Sequence, residues 1–436
     1  MTVNVDRHQC WSPRPQREEQ SMSATAVAPK TAIVVGAGMV GLATAWHLQE
    51  HGVEVTILDK AGVAAGSSWG NAGWLTPGMA MPLSDPSVWS YGPKALIDPN
   101  APLHVPFRFD PTLWNFLLRF VSRGTQRAWD STMASLTPID KIALDAFDEL
   151  TGGGVKSLTH EGPFIIGFEH EKESVGFIHE LEHVAKHGQT VPLHRLENPR
   201  ELAPQLSDKV STVFALEGQR FIEPGPFVAA LGDAVVARGA RLETSANVTD
   251  VRSEAGGVIV DIAGGESLRA DVAVLATGAW LPKLARPLGL RTLIQAGRGY
   301  SFSVATEQPT THPVYFPVQR IACTPYEGRF RIAGTMEFRR PDEAFQARRV
   351  EAILANARPL FTGMDLDDRK DEWVGSRPVT PDGLPVIGAS KVPGIYMAGG
   401  HGMWGIVLGP ATGKLLAHQI VTGEIPAELA PFDPLR

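Results

Sequence analysis

From residue 31 onward, apolar positions alternate between short β-branched runs and stretches with helical spacing. Ile33-Val34-Val35 ends a first strand, Leu42–His51 repeats apolar positions as a helix does, and Val53–Leu58 reads as a second strand after a turn at Gly52. Strand-like runs return at Phe164-Ile165-Ile166, Val258-Ile259-Val260 and Val272–Leu275. Helical spacing returns at Leu113, Phe116, Leu117, Phe120 and Val121, at Pro226–Arg238 and at Gln346–Ala357. The Pro-dense stretch Met79–Pro111 separates the first strand–helix–strand unit from what reads as a helical insertion. Arg119, Arg123 and Arg127 fall four residues apart there, as a basic stripe on one helix. Such a stripe is either a solvated face or a surface for peripheral docking at the inner face of a membrane. The uncharged run from Thr31 to Gln49 is long enough to imitate a membrane helix, but Gly36, Gly38 and Gly41 interrupt it where the strand stops. Val392–Gly413, with seven Gly and two Pro, is no better a span.

Composition narrows the class. The chain has 436 residues, 43% hydrophobic and 20% charged, and a net charge of −7. It has enough apolar content for two or three packed units and no overall attraction to nucleic acid. The cysteines, Cys10 and Cys323, are too few for a disulfide framework or a structural zinc site, so no metal is expected and a reducing, cytoplasmic setting fits. Residues 1–29, with Ser12-Pro13-Arg14-Pro15-Gln16, show no apolar period and read as a disordered arm, with Met22 an alternative first residue.

The chemistry begins with Gly36-Ala37-Gly38-Met39-Val40-Gly41, a G-x-G-x-x-G turn between strand and helix. The first glycine permits the turn, the second lets backbone N–H groups approach a pyrophosphate, and the third lets helix pack on strand. Asp59, 18 residues after Gly41, is placed to accept from ribose hydroxyls. NAD and FAD share this unit, and three later segments favour FAD. Gly66-Ser67-Ser68-Trp69-Gly70-Asn71-Ala72-Gly73 offers hydroxyls, an amide and open backbone; Ala270–Trp280 is a buried strand stopped at Thr277-Gly278; and Gly399-Gly400-His401-Gly402-Met403-Trp404-Gly405 leads into a helix starting near Leu408, with Pro410 in its first turn. A helix start there would stabilise negative charge on a reduced flavin.

Together with Gly375-Ser376-Arg377-Pro378-Val379-Thr380-Pro381-Asp382-Gly383, these motifs, in this order, resemble the FAD-dependent D-amino-acid oxidase superfamily over nearly all of the chain from Lys30. Within it the resemblance is greatest to bacterial D-amino-acid dehydrogenases and the glyphosate-oxidoreductase-like group, with glycine and sarcosine oxidases as cousins. It implies an α/β protein: a discontinuous Rossmann-type FAD-binding domain (30–84, 217–287 and 372–436) and an α+β substrate domain (85–216 and 288–371) whose mostly antiparallel sheet roofs the flavin. Carried over by position, it implies Met39 and Val40 at the pyrophosphate, Asp59 and Lys60 at the ribose, and Ser67, Ser68, Asn71, Ala72, Gly73 and Trp74 along the cofactor. Val248 falls at the adenine, Thr277, Gly278 and Trp280 beside the nucleotide, and Gly400 to Val407, including Ile406, at the pyrimidine end.

Two departures bear on chemistry. Relatives with covalent flavin carry a histidine next to the Trp of the serine loop, where Gly70 stands here, so FAD is expected to bind non-covalently. Several oxidases hold the substrate carboxylate with an Arg where Thr324-Pro325-Tyr326-Glu327-Gly328-Arg329 offers Tyr326. The candidates for that carboxylate are Arg377, Arg320, Tyr300 and Tyr326, each with an ordinary packing or ion-pair reading beside the functional one. His401 could polarise the flavin or modulate amine protonation, and Trp404 could wall the pocket. The function this implies is oxidation of the C–N bond of a D-amino acid or N-substituted glycine by hydride transfer to flavin, giving an imine that hydrolyses to a 2-oxo acid plus ammonia or amine. The acceptor is oxygen or a quinone-type respiratory carrier. The alternatives are an NAD-dependent two-domain dehydrogenase and a flavin-binding subunit of a hetero-oligomeric dehydrogenase. Homo-oligomers remain open.

Overall fold

The computed structural model describes residues 28–436; all but the last two residues of the expected N-terminal arm lie outside them. A six-stranded sheet runs in the order Arg241–Thr244, Glu54–Asp59, Thr31–Val35, Val272–Leu275, Ile395–Gly399, Val386–Ala389. All neighbours are parallel except the last pair. Its central strand is apolar throughout because both faces are covered. Ala32 and Val34 pack on a helical layer, while Ile33 and Val35 pack under a three-stranded antiparallel sheet of Val248–Glu254, Gly257–Ile262 and Leu268–Ala270.

The helix Met39–Glu50 is buried over most of its circumference, between the sheet and the helix Gly409–Thr422. Small residues allow this: a Cβ on Gly413 would overlap the Ala43 backbone, and one on Gly409 would overlap Met39. The helix begins at Met39, three residues before the apolar period suggested, because Gly38 serves as its N-cap.

A second, nine-stranded sheet runs Met364–Val379, Gln295–Thr306, Arg329–Phe338, Ile321–Tyr326, Val314–Phe316, Phe164–Phe168, Thr212–Leu216, Leu193–Arg195, with Leu103–His104 beside Arg329–Phe338. It is antiparallel except where Val314–Phe316 meets Phe164–Phe168 and where Leu103–His104 joins. Residues 372–379 belong to this sheet, so its first strand runs through the boundary expected at 372. One face packs on the helix Ala347–Ala357. The other carries hydroxyls that grip the serine loop: Ser301 Oγ donates to the Gly70 carbonyl at 2.8 Å and Thr324 Oγ1 to the Ala72 carbonyl at 2.6 Å. The fold is therefore the mixed α/β arrangement expected, with a Rossmann-type sheet under a mostly antiparallel roof.

The basic stripe is not one helix. Helix Pro111–Ser122 ends with Arg123 as its C-cap, Gly124 turns the chain, and Thr125 caps a new helix, Gln126–Lys141, by accepting from Ala128 N at 3.2 Å. Arg119 and Arg127 therefore stand on different helices.

His47 lies buried in the first helix, its Nε2 without a partner, and desolvation with help from Lys414, His51 and Arg238 lowers its pKa to about 3. Between that value and the ordinary 6.5 the unfolded chain binds the extra proton, so this contribution is complete above pH 6.5 and is lost as pH falls. At about 1.4 kcal/mol per pH unit, the two units from pH 6.5 to 4.5 cost about 3 kcal/mol. Chemical denaturation of His47→Gln across that range should show a correspondingly flatter pH dependence than the wild type; parallel curves would rule this out.

Candidate active site

A long cavity with about 270 Å³ of room for water-molecule centres runs along the carboxyl ends of the parallel strands, under the roof sheet. Its first wall is the Gly36–Gly41 turn. Gly36 has φ of +117°, and a Cβ there would overlap the Ala276 carbonyl; a Cβ on Gly41 would overlap the Gly36 carbonyl. Gly38 meets only Ser68 Oγ, at 3.2 Å, and faces the cavity with Met39 and Val40. Gly41 is therefore a packing residue, and Gly38 is the glycine that keeps backbone open to a ligand.

Asp59 ends its strand at the cavity. Its Oδ2 accepts from Ala37 N at 2.9 Å, and its Oδ1 accepts from Ala61 N at 2.8 Å and Gly62 N at 2.9 Å. A carboxylate accepts about four hydrogen bonds. Asp59 thus fastens the turn and keeps capacity for a ribose hydroxyl. Beside it, Lys60 Nζ sits 3.7 Å over the Trp280 ring, and Trp280 Nε1 donates to Asp342 Oδ1 at 2.8 Å. Asp342, from the roof, was not visible as a site residue in the sequence. Its only signal was the Pro341-Asp342-Glu343 turn after a strand.

Along the floor, Ser68 Oγ accepts from Met39 N at 3.2 Å, Ser67 Oγ donates to the Ser376 carbonyl, and Asn71 Oδ1 accepts from Gly73 N at 2.8 Å. Val248, Thr277 and Gly278 also line the cavity. Thr277 Oγ1 is buried with no hydrogen-bond partner, which a cofactor oxygen would satisfy. Ala72, Gly73 and Trp74 stand behind this wall. A Cβ on Gly73 would overlap the Ile222 carbonyl, and Trp74 packs on Phe164 and Tyr315 while its Nε1 donates to Thr324 Oγ1 at 2.9 Å.

The far end is formed by Arg377, His401, Gly402, Met403, Gly405 and Ile406, just before the helix Gly409–Thr422. Val407 lies in the core instead. His401 contacts Thr412 Oγ1 through Nε2 at 3.0 Å, and burial lowers its pKa to about 4, so it is neutral at pH 7. Its Nε2 is thus engaged by the helix. The Arg377 guanidinium lies flat over Gly299, where a Cβ would overlap it. Burial lowers its pKa to about 10, no carboxylate lies within 4 Å among the described residues, and its hydrogen bond is to the Thr335 carbonyl at 3.3 Å. Thr335 occupies a bulge with φ of +53°, unusual for a β-branched residue, and such strain of order 1–3 kcal/mol persists where surrounding structure fixes it.

Gly400, His401 and Trp404 also wall a small second chamber with Met81, Leu83 and Val379. Trp404 Nε1 donates to the Met81 carbonyl at 2.8 Å. Three candidates lie away from both cavities. Tyr300 is buried on the opposite face of the roof and donates to Glu337. Tyr326 is buried, with the Arg331 guanidinium 3.7 Å over its ring. Arg320 stands in the turn after Val314–Phe316.

The sequence profile of the FAD dependent oxidoreductases, DAO, matches residues 31–419. The chain belongs to this family of FAD-dependent oxidoreductases. The chain is similar to a D-amino acid dehydrogenase of Methylobacterium sp. (strain 4-46), 29% identical over 92% of this chain and 97% of that one. Among solved structures it is similar to glycine oxidase from Geobacillus kaustophilus (TM-score 0.70, 25% identity, 94% and 98% of the two chains). Iminodiacetate oxidase from Chelativorans sp. BNC1 shares the fold (TM-score 0.67, 21% identity, 92% and 98%). The family's cofactor fits this cavity: a backbone-lined turn for phosphate, an acid at the ribose position, an orphaned threonine hydroxyl and an unpaired guanidinium at the other end.

The two glycines make separable predictions. Gly41→Ala forces Cβ into a carbonyl and should cost about 3 kcal/mol in denaturant unfolding. Gly38→Ala should leave stability within about 1 kcal/mol but weaken FAD binding at least tenfold, read by fluorescence titration of the apoprotein. Equal loss of stability in both would refute the division of roles.

Proposed function

We propose that the chain oxidises the C–N bond of a small amino acid, a D-amino acid or an N-substituted glycine. The observation that carries this is the His401–Trp404 loop, which walls both the cofactor cavity and the small chamber. The chamber holds about 20 Å³ for water centres, against about 10–15 Å³ for one water, so only a few substrate atoms fit there. Met81, Leu83, Val379 and Met403 make it apolar, which suits transfer of hydride from a carbon next to an uncharged nitrogen. The names of the similar proteins agree with this class.

Bound FAD supplies a two-electron acceptor for that hydride. The substrate loses hydride from carbon and a proton from nitrogen, and the resulting imine takes up water to give a 2-oxo acid and ammonia or amine. Arg377 lines the cavity with no ion pair among the described residues, so it would set positive charge against negative charge on a reduced cofactor held there. It is therefore read as a cofactor-side residue. His401 stays neutral and shapes the wall. Non-covalent FAD fits Gly70, where any side chain would overlap the Trp373 ring.

We read the acceptor as a lipophilic, quinone-type carrier met at a membrane surface. No helix among the described residues is long and apolar enough to cross a membrane. The layer formed by Val88–Ile97 and Pro111–Ser122 exposes Trp89, Ile97, Phe107, Phe109 and Leu118. Residues 88–127 carry Lys94, Arg108, Arg119, Arg123 and Arg127 against Asp98 and Asp110, that is 5 − 2 = +3 in a chain of −7. Apolar tips among cations fit an anionic lipid headgroup layer.

Anaerobic addition of D-alanine, D-proline, sarcosine or glycine should bleach the flavin absorption of the purified protein, and acid precipitation should leave FAD in the supernatant. A flavin that no amine reduces would defeat the amino-acid reading, and flavin in the pellet would defeat non-covalent binding. The protein should float with vesicles containing anionic lipid, and the triple variant Trp89→Ser, Ile97→Ser, Phe109→Ser should float at least tenfold less. Equal flotation of the two would remove the membrane reading.

A further inference from the structure

The roof reaches the cofactor cavity at two places among the described residues. Arg377 and Pro378 line its far end, and Asp342 lines the end beside Asp59 and Lys60. Asp342 follows the strand Arg329–Phe338 in a turn that is fixed from both sides. The Glu343 carboxylate accepts from Arg340 N and from Arg339 Nη1, each at 2.9 Å, and from Arg108 as well, while the Pro341 carbonyl accepts from Ser376 Oγ at 3.1 Å. The backbone of the turn is therefore held in place, and the Asp342 side chain is left to reach the floor.

Asp342 Oδ1 accepts from two floor residues of separate segments, Trp280 Nε1 at 2.8 Å and Lys60 Nζ at 3.4 Å. Lys60 follows the strand Glu54–Asp59, and Trp280 closes the turn after Val272–Leu275, so one oxygen ties the ends of two parallel strands to the roof. The Lys60 ammonium also lies 3.7 Å over the Trp280 ring, a cation on an aromatic face. Each of the three groups thus touches the other two. All three line the cavity, yet the Asp342 side chain keeps 70% of its exposure and that of Lys60 keeps 44%. Groups that face both the cavity and solvent stand at the rim, so the contact bridges the rim from floor to roof.

An exposed acid–lysine pair adds little to stability, because water competes for both charges. Set across a cleft, the same pair has another consequence: it must open before a group as large as an adenosine passes between floor and roof at this end. We propose that Asp342, Trp280 and Lys60 form a latch over the adenosine end of the cleft, and that its opening gates the entry and release of FAD. A latch differs from an ordinary contact with the cofactor. A contact slows release alone and so tightens binding, whereas a latch slows passage in both directions and leaves the equilibrium nearly where it was. The inference rests on the family's cofactor in this cavity and is independent of which amine is oxidised.

The test dilutes the holoenzyme and follows the fluorescence of released FAD, which gives the release rate from the time course and Kd from the end points. Asp342→Ala should release FAD roughly tenfold faster than the wild type, while Kd stays within about threefold. Asp342→Asn, which keeps an acceptor for Trp280 and loses the charge facing Lys60, should fall between the two. Trp280→Phe keeps the ring and removes the donor, so it tests the same bond from the floor and should also speed release. Because the two residues share one bond, the double variant Asp342→Ala, Trp280→Phe should release FAD no more than about twofold faster than Asp342→Ala alone. Release from both single variants within about twofold of the wild type overturns the proposal. Release and Kd rising by the same factor overturns it too, since Asp342 would then be an ordinary cofactor contact.

Discussion

The Gly36–Gly41 turn is packed backbone against backbone, both within itself and onto the strand end at Ala276, and the cofactor cavity depends on that contact. No side chain fits at Gly36 or Gly41, so the first strand, the first helix and the neighbouring strand meet at a fixed distance. This leaves Gly38, Met39 and Val40 at the rim with the start of a buried helix behind them. Helix starts and open amides stabilise phosphate only where backbone can come that close. Asp59 reinforces the same turn by accepting from Ala37 N. One carboxylate therefore joins the phosphate-binding turn to the ribose position, and the turn's rigidity and its chemistry share a cause.

The roof is registered on this floor by short polar contacts. Ser301 and Thr324 of the roof donate to carbonyls of the loop at Gly70 and Ala72, and Ser67 of the loop donates back to the Ser376 carbonyl. Each such bond contributes only about 1 kcal/mol. Their consequence lies in position: hydroxyl-to-carbonyl bonds tolerate little variation in length, so the two sheets are held at one separation across the cleft. Trp373 filling the space beside Gly70 does the same with apolar volume.

How much could be read from the residues follows from which interactions are local. The phosphate turn, Asp59, the serine loop and the Thr277-Gly278 stop were legible because each is a short-range device, with a turn glycine or a strand-end acid at a fixed offset. The helix ahead of Gly423 was legible for the same reason, with Pro410 in its first turn. The roof was not. Along Gln295–Thr306, Tyr300 and Phe302 point into the core while Gly299 and Ser301 face the cleft, and period-two alternation does not say which face is which. Tyr300 therefore read as a carboxylate donor although it donates to Glu337 on the far side. Arg119, Arg123 and Arg127 read as one stripe because their spacing is helical, while the break at Gly124 is set by its packing against Val88 and the backbone at Asp85, a long-range contact. Asp342 carried only a turn signal and Thr335 none, so neither reads as a site residue.

What separates a structural arginine from one poised for a ligand in this molecule is the set of acceptors around it. Arg349 is fully buried, yet its two terminal nitrogens are caged by the carbonyls of Pro99, Ala101, Pro102 and Met336, and only its Nε lacks a partner. Arg331 is equally buried and leans on the faces of Tyr326 and Trp69, with one hydrogen bond to the Trp69 carbonyl, so aromatic quadrupoles offset part of its desolvation. Among the described residues Arg377 has one long hydrogen bond, no aromatic face and no carboxylate, and it borders an open cavity. A guanidinium with five donors and one weak acceptor is tolerable only where water or an anion completes it. In a chain whose net charge is −7, that local surplus of positive charge is a property of the cleft and not of the surface as a whole. A reduced cofactor or another anion at this end of the cleft would meet positive charge already in place, as charge developing in a desolvated site requires.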